Sequence, residues 1–305
     1  MKGLMIILVA LCLMAVTRID WQKKKENYTN KEISRRTFQY AVKDGEKLML
    51  DIYEAKGDDR RDKPVLVWMH GGGFSGGSRG GDDEVKLMES AAQNGYVGVS
   101  ISYRLTMKGR HFGCKTSKAE KEATFRAAGE DYWDAVYYLY ANRVKLGIDP
   151  EKIVFGGSSA GAEGMLTAVY MKEWLYDTTT IYDEIKPAAV VSLAGAMIDA
   201  SYIKEDNAVP ALFFHGTTDP LVPFGTAPHH LCKKNQAGYI WLDGSETITN
   251  RLDDLGASYL LYAYEGFGHE VANIQFDKLD LVYRFLDEVV LQKNTIQQKV
   301  SVIFP

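Results

Sequence analysis

Apolar and polar positions along the chain alternate with two periods. Apolar runs of strand length lie at residues 37–42, 48–53, 65–69, 96–103, 153–155, 188–193, 211–214 and 258–264. Between them, residues 83–94, 121–146, a stretch from just past 159 to about 174, and 277–291 carry apolar side chains at helical spacing. In the longest of these, Ala135, Leu139 and Val144 mark the repeat. Val65, Leu66, Val67, Trp68 and Met69 are apolar without alternation, as a strand covered on both faces requires. An initial β pair followed by repeated strand–helix units predicts the α/β class. The expected architecture is a single domain with a mainly parallel eight-stranded sheet and helices on both faces. No repeat, low-complexity tract or Pro/Ser-rich linker interrupts it. Residues 18–36 read as a polar lead-in and 37–305 as the folded domain.

Composition narrows the class without changing it. The chain has 305 residues, 46% hydrophobic and 25% charged, enough for a substantial core. A formal charge of −4 argues against nucleic acid or an anionic membrane as partner. Lys2 followed by the uncharged residues 4–16 suits a signal peptide over residues 1–17, too short to span a bilayer comfortably. The cut falls near Ala15 or Thr17, and export to the periplasm or exterior is expected. An uncleaved anchor is the other reading; a lipoprotein would need a small residue before Cys12, where Leu11 stands. With Cys12 removed, Cys114 and Cys232 remain. An exported protein can bridge such a pair, and two separate thiols are the alternative.

The chemistry centres on Gly157-Ser158-Ser159-Ala160-Gly161, between a strand and a helix. Two glycines relieve crowding at a sharp turn that lifts Ser159 into a cleft, with a helix N-terminus behind it. Ser158 is the near competitor, but only Ser159 has glycine at both −2 and +2. A serine hydroxyl needs a base within reach and an acid to orient that base. Of six histidines, His269 lies in a loop after the last strand, where the base of such a sheet must come. Asp219, in the turn after strand 211–214 and stiffened by Pro220 and Pro223, supplies the acid. Asp243, Asp253 and Asp254 also precede His269, in a turn and a helix that suit solvated roles. Gly71-Gly72-Gly73 follows strand 65–69. The backbone N–H groups of Gly72, Gly73 and Ala160 are the expected oxyanion hole. A phosphate cradle would need a Lys-Ser/Thr after the glycines, and none follows.

The remaining histidines read structurally. His70 and His215 can each brace a turn, and His111 lies in a polar loop. The pair His229-His230 suggests a metal, but no carboxylate or cysteine cluster stands at ligand spacing, so no metal is expected. The loop 107–121, with Lys108, Arg110, His111, Lys115, Lys118 and Lys121, follows a strand end and can overhang the cleft as a specificity element. A solvated basic loop is the competing reading.

Taken with Ser-Tyr-Arg at 102–104 and Gly-Ile-Asp-Pro-Glu-Lys-Ile at 147–153, these motifs resemble the α/β-hydrolase superfamily, in its carboxylesterase and hormone-sensitive-lipase-like branch, over about residues 45–290. The resemblance implies cofactor-free ester hydrolysis through an acyl-enzyme. Secreted members of this type often remove acetyl or feruloyl groups from plant glycans, so the expected partner is a small or glycan-linked ester. An arylformamidase or lipase-like activity, or a non-catalytic binding module, are the alternatives; Gly73 favours esters. The chain departs from the family pattern at 106–114, and at Ala162-Glu163 after the elbow, where Glu163 is expected to satisfy helix N-terminal N–H groups.

Overall fold

The computed structural model describes residues 31–303; the expected signal segment lies outside them. Among the described residues twelve strands run in chain order. They are β1 (Ile33–Lys43), β2 (Glu46–Ala55), β3 (Lys63–Met69), β4 (Val97–Ile101), β5 (Ile148–Ser158), β6 (Ala189–Leu193), β7 (Ala196–Met197), β8 (Ala211–Gly216), β9 (Thr226–Pro228), β10 (Trp241–Gly244), β11 (Tyr259–Tyr264) and β12 (Gln297–Val302). The main helices are α1 (Asp82–Gln93), α2 (Lys118–Ala141), α3 (Ala160–Tyr170), α4 (Ser245–Asp254) and α5 (Leu279–Leu286).

The main sheet has nine strands in the order β1-β2-β4-β3-β5-β6-β8-β11-β12. The first three pair antiparallel, and every other neighbouring pair is parallel. This corrects the expected eight. The ninth strand, β12, is polar and mostly exposed, and only backbone pairing with β11 reveals it. A second, three-stranded sheet of β7, β10 and β9 was also not expected. The first strand begins at Ile33, inside the segment read as lead-in, and the longest helix begins at Lys118, where Ser117 and Glu120 form a capping box.

The parallel strands are buried on both faces because helices cover both. In β3, Val65, Val67 and Met69 join one core and Leu66 and Trp68 the other, the two-residue alternation of a pleated strand. α2 and α3 pack on the first face with Tyr132, Trp133 and Phe155; α1 and α5 pack on the second with Met88, Tyr283 and Phe285.

Tyr132 ties helix to sheet. Its fully buried hydroxyl donates to Val67 O (2.9 Å) and accepts from the Gly156 N–H (2.8 Å). Tyr132→Phe strands both backbone groups and is expected to destabilise the fold by about 1–3 kcal/mol. A lowered urea midpoint at unchanged slope is the expected reading; an unchanged midpoint would contradict the assignment.

Candidate active site

Every expected site residue lies just past the carboxyl end of a strand, where such sheets open a crevice. The turn between β5 and α3 is a single residue. Ser159 takes φ 51°, ψ −126°, a left-handed conformation costly for a side chain with a Cβ. The turn is held by Ser159 N–H donating to Leu193 O (2.8 Å) and by the helix packing directly on the neighbouring strand end. A Cβ on Gly161 would lie 2.1 Å from Met69 O, and one on Gly157 would lie 2.6 Å from the Gly161 backbone. Only glycine permits either approach, which is the physical content of the motif.

From this turn Ser159 Oγ meets His269 Nε2 at 2.7 Å. His269 Nδ1 meets Asp219 Oδ2 at 2.7 Å. The structure thus brings Ser159, His269 and Asp219 into one hydrogen-bonded line. Asp219 is buried. Its Oδ1 accepts from the N–H groups of Leu221 (2.8 Å) and Val222 (3.0 Å), which fixes the carboxylate toward His269. Burial pushes this carboxyl up, but hydrogen bonds from His215 and His269 and their charge outweigh it and hold it well below the ordinary carboxylate range. Its stabilising contribution is present above that ordinary range and is lost only as pH falls through the lowered native value.

The structural histidines take bracing positions. His215 Nδ1 lies 2.7 Å from Ser245 Oγ and Nε2 lies 3.1 Å from Val222 O, binding the acid loop to α4. His70 Nδ1 lies 2.8 Å from Gly71 O, and its own carbonyl accepts from the Tyr103 hydroxyl (2.9 Å), which gives the Ser-Tyr-Arg motif its role beside the glycine loop. In that loop Ser75 and Gly76 N–H both donate to Gly72 O (3.1 Å each), and Gly72 and Gly73 have φ 116° and 60°. Gly72, Gly73 and Ala160 line one pocket of about 770 Å³ together with Ser159 and His269. Among the described residues no group of three or more metal-ligating side chains occurs.

Three features of the site were not legible in the sequence. Phe112, not the basic residues of loop 107–121, is the side chain of that loop that lines the pocket. Arg110 and Lys118 instead pair with Glu120 and Glu122 on the surface. Lys121 is fully buried inside α2, with Nζ donating to Gly238 O (2.8 Å) and 3.2 Å from His229 Nδ1. Glu163, expected to cap α3, does not: its Oε1 lies 3.2 Å from His229 Nε2. A carboxylate therefore does stand beside the histidine pair, brought there by the fold from 66 positions away.

Cys114 and Cys232 are joined in a disulfide with Cα atoms 5.3 Å apart. It pins the loop bearing Phe112 to the segment bearing His229 and His230.

Residues 50–197 match the BD-FAE family model. The chain is similar to carboxylesterase NlhH of Mycobacterium tuberculosis, 33% identical over 110 residues, which is 36% of this chain and 29% of that protein. It is also similar to a fumonisin B1 esterase of Sphingopyxis macrogoltabida, 32% identical over 119 residues, 39% of this chain and 22% of that protein. These alignments span less than a third of the curated relatives' length. Among solved structures, esterase 2 of Thermogutta terrifontis, phosphorylated by paraoxon, superposes with a TM-score of 0.61 at 20% identity, over 85% of this chain and 94% of that one. The chain has the α/β-hydrolase fold. Ser159 lies inside the matched residues 50–197, whereas Asp219 and His269 fall outside them, and the fold carries them to Ser159.

Alkylation of the unreduced protein followed by mass measurement is expected to leave Cys114 and Cys232 unmodified; alkylation at both would contradict the bond. The cysteines are 118 positions apart, so reduction is expected to lower stability by about 4–5 kcal/mol in the chain-entropy account, read as the urea midpoint.

Proposed function

We propose that this α/β-hydrolase is a serine carboxylic-ester hydrolase. The observation that carries the reading is the unbroken line Ser159 Oγ–His269 Nε2 and His269 Nδ1–Asp219 Oδ2, both contacts at 2.7 Å, opening on a pocket walled by the glycine loop. The esterases among its relatives and structural neighbours support it.

In this reading His269 takes the Ser159 proton as Oγ attacks the ester carbonyl. Asp219 holds the imidazole in the tautomer that leaves Nε2 free to accept. The backbone N–H groups of Gly72, Gly73 and Ala160 receive the developing oxyanion, each donor contributing about 2.7–4 kcal/mol to the transition state. His269 returns the proton to the departing alcohol. It then activates water, which releases the acid and frees Ser159.

The substrates proposed are short-chain or carbohydrate-linked acyl esters. The pocket volume admits a sugar-sized group, and its lining mixes Phe112, Leu221 and Ile274 with acidic and imidazole side chains. Export through the N-terminal segment is proposed with it; a disulfide fits an oxidising compartment. Among the described residues no helix is long and apolar enough to cross a membrane.

A fluorophosphonate probe is expected to label the native protein and not Ser159→Ala. Asp219→Asn is expected to lower kcat for p-nitrophenyl acetate about 10⁴-fold, since the wrong imidazole tautomer then faces Ser159. A native protein that takes no label and hydrolyses none of p-nitrophenyl acetate, methyl ferulate or acetylated xylan would defeat the proposal.

A further inference from the structure

Phe112 is the one aromatic side chain of loop 107–121 that reaches the pocket, and it is held there with unusual firmness. It is 7% exposed and lines the same pocket as Ser159. Four rings meet it edge-on, with centroids at 4.9 Å for Phe74, 5.3 Å for His229, 5.6 Å for Phe125 and 6.2 Å for His230. Edge-to-face packing at these separations is attractive, so the ring cannot swing aside without losing several contacts at once.

The backbone on either side is fixed as well. Met107 N–H donates to Phe74 O (3.0 Å), which ties the start of the loop to the glycine loop. Gly238 N–H donates to Cys114 O (3.0 Å), and the Cys114–Cys232 bond closes the same end of the loop onto the segment that carries His230. In that segment His230 holds φ 57° and Leu231 φ 51°. Two consecutive left-handed residues without glycine persist only where the surroundings impose them. Phe112 and His230 therefore form a stiff wall, assembled from distant parts of the chain.

The side chains that this wall presents to the pocket are uncharged at neutral pH. Burial is the largest cause in each case: it brings His230 down to about 3 and pushes the adjoining Glu163 carboxyl up to about 8. Elsewhere the lining is acidic, with Asp82, Asp83 and Glu84.

Attack by Ser159 on an ester sets three directions. The carbonyl oxygen turns to the N–H groups of the glycine loop and Ala160, and the departing alcohol oxygen to His269 Nε2. The acyl chain takes the direction that remains. Ala272, Asn273 and Ile274, which follow His269 in the chain and line the pocket beside it, thus face the alcohol. Of the walls left, the acidic one offers an apolar chain nothing, whereas the Phe112–His230 wall lets it leave water.

We infer that Phe112 is the specificity-determining residue for the acyl group, a fixed end wall that admits short acyl chains and stops long ones. This rests on the ester-hydrolase reading above and adds the side chain that bounds the acyl group.

The test uses two ester series with the full chain: p-nitrophenyl esters from acetate to octanoate, and acetates from ethyl to hexyl. Native kcat/KM is expected to fall at least about tenfold from butyrate to octanoate. Phe112→Ala is expected to raise the octanoate-to-acetate ratio at least about tenfold, since each methylene newly buried is worth about fourfold. Phe112→Leu keeps more of the core filled and is expected to raise the same ratio about threefold, which decides the matter if Phe112→Ala does not fold. A native profile flat from acetate to octanoate overturns the inference without any variant. So do variants in which every acyl ester falls together at an unchanged ratio, the mark of a purely structural ring. A shift in the ethyl-to-hexyl series instead would place Phe112 at the alcohol and overturn it too. Loss of the ester-hydrolase reading itself is distinguishable: the native protein would then hydrolyse neither series and take no fluorophosphonate.

Discussion

The close approach of α3 to the end of β3 is the constraint on which the rest of the site depends. A strand must turn into a helix through one residue, and the helix must then start against the carbonyls of Met69 and His70. No side chain fits at Gly161, and Ser159 must accept a left-handed backbone. Packing pays for that strain: α3 is buried along its whole length between the sheet and α2. Given the turn, the positions of the glycine loop and of Ser159 are no longer independent. Both are set by the contact between β3 and α3, and His269 and Asp219 only have to reach a point already fixed.

How much of this is legible in sequence follows from how each residue is held. Ser159, Asp219 and His269 announce themselves because each follows an apolar strand and is flanked by glycine or proline, so local chemistry marks the place. Gly72 and Gly73 are legible for the same reason. β12 is not: Gln297, Gln298 and Lys299 carry no apolar alternation, because an exposed edge strand needs only backbone partners. Phe112 was hidden among six basic neighbours, whose charge suggested a rim facing substrate. Arg110 and Lys118 pair on the surface with Glu120 and Glu122 of α2, and the apolar ring of Phe112 lines the pocket.

The Lys121–His229–Glu163 chain illustrates the harder limit. Its members come from α2, from the segment after β9, and from α3, and nothing local in any of the three signals the others. Each reads separately as a surface lysine, a histidine pair and a helix-capping acid. Tertiary packing overrides all three readings by burying them together. The cost of burying opposite charges is met partly by mutual attraction and partly by shifting both groups toward neutrality. Such a cluster is rarely retained for stability alone, since apolar residues of similar volume would pack as well.

The disulfide also has a topological consequence. The covalent ring closed between Cys114 and Cys232 encloses Ser159 and Asp219, whereas His269 lies outside it, on the tail. A protease cutting any one peptide bond between residues 115 and 231 would open the ring without separating nucleophile from acid or from the body of the protein. A cut between 233 and 268 would release the base on a free fragment. Under oxidising conditions the chain is therefore unequally vulnerable: a nick in its longer, central stretch leaves one covalent molecule, whereas one in the shorter stretch that holds β10, α4 and β11 divides Ser159 and Asp219 from His269.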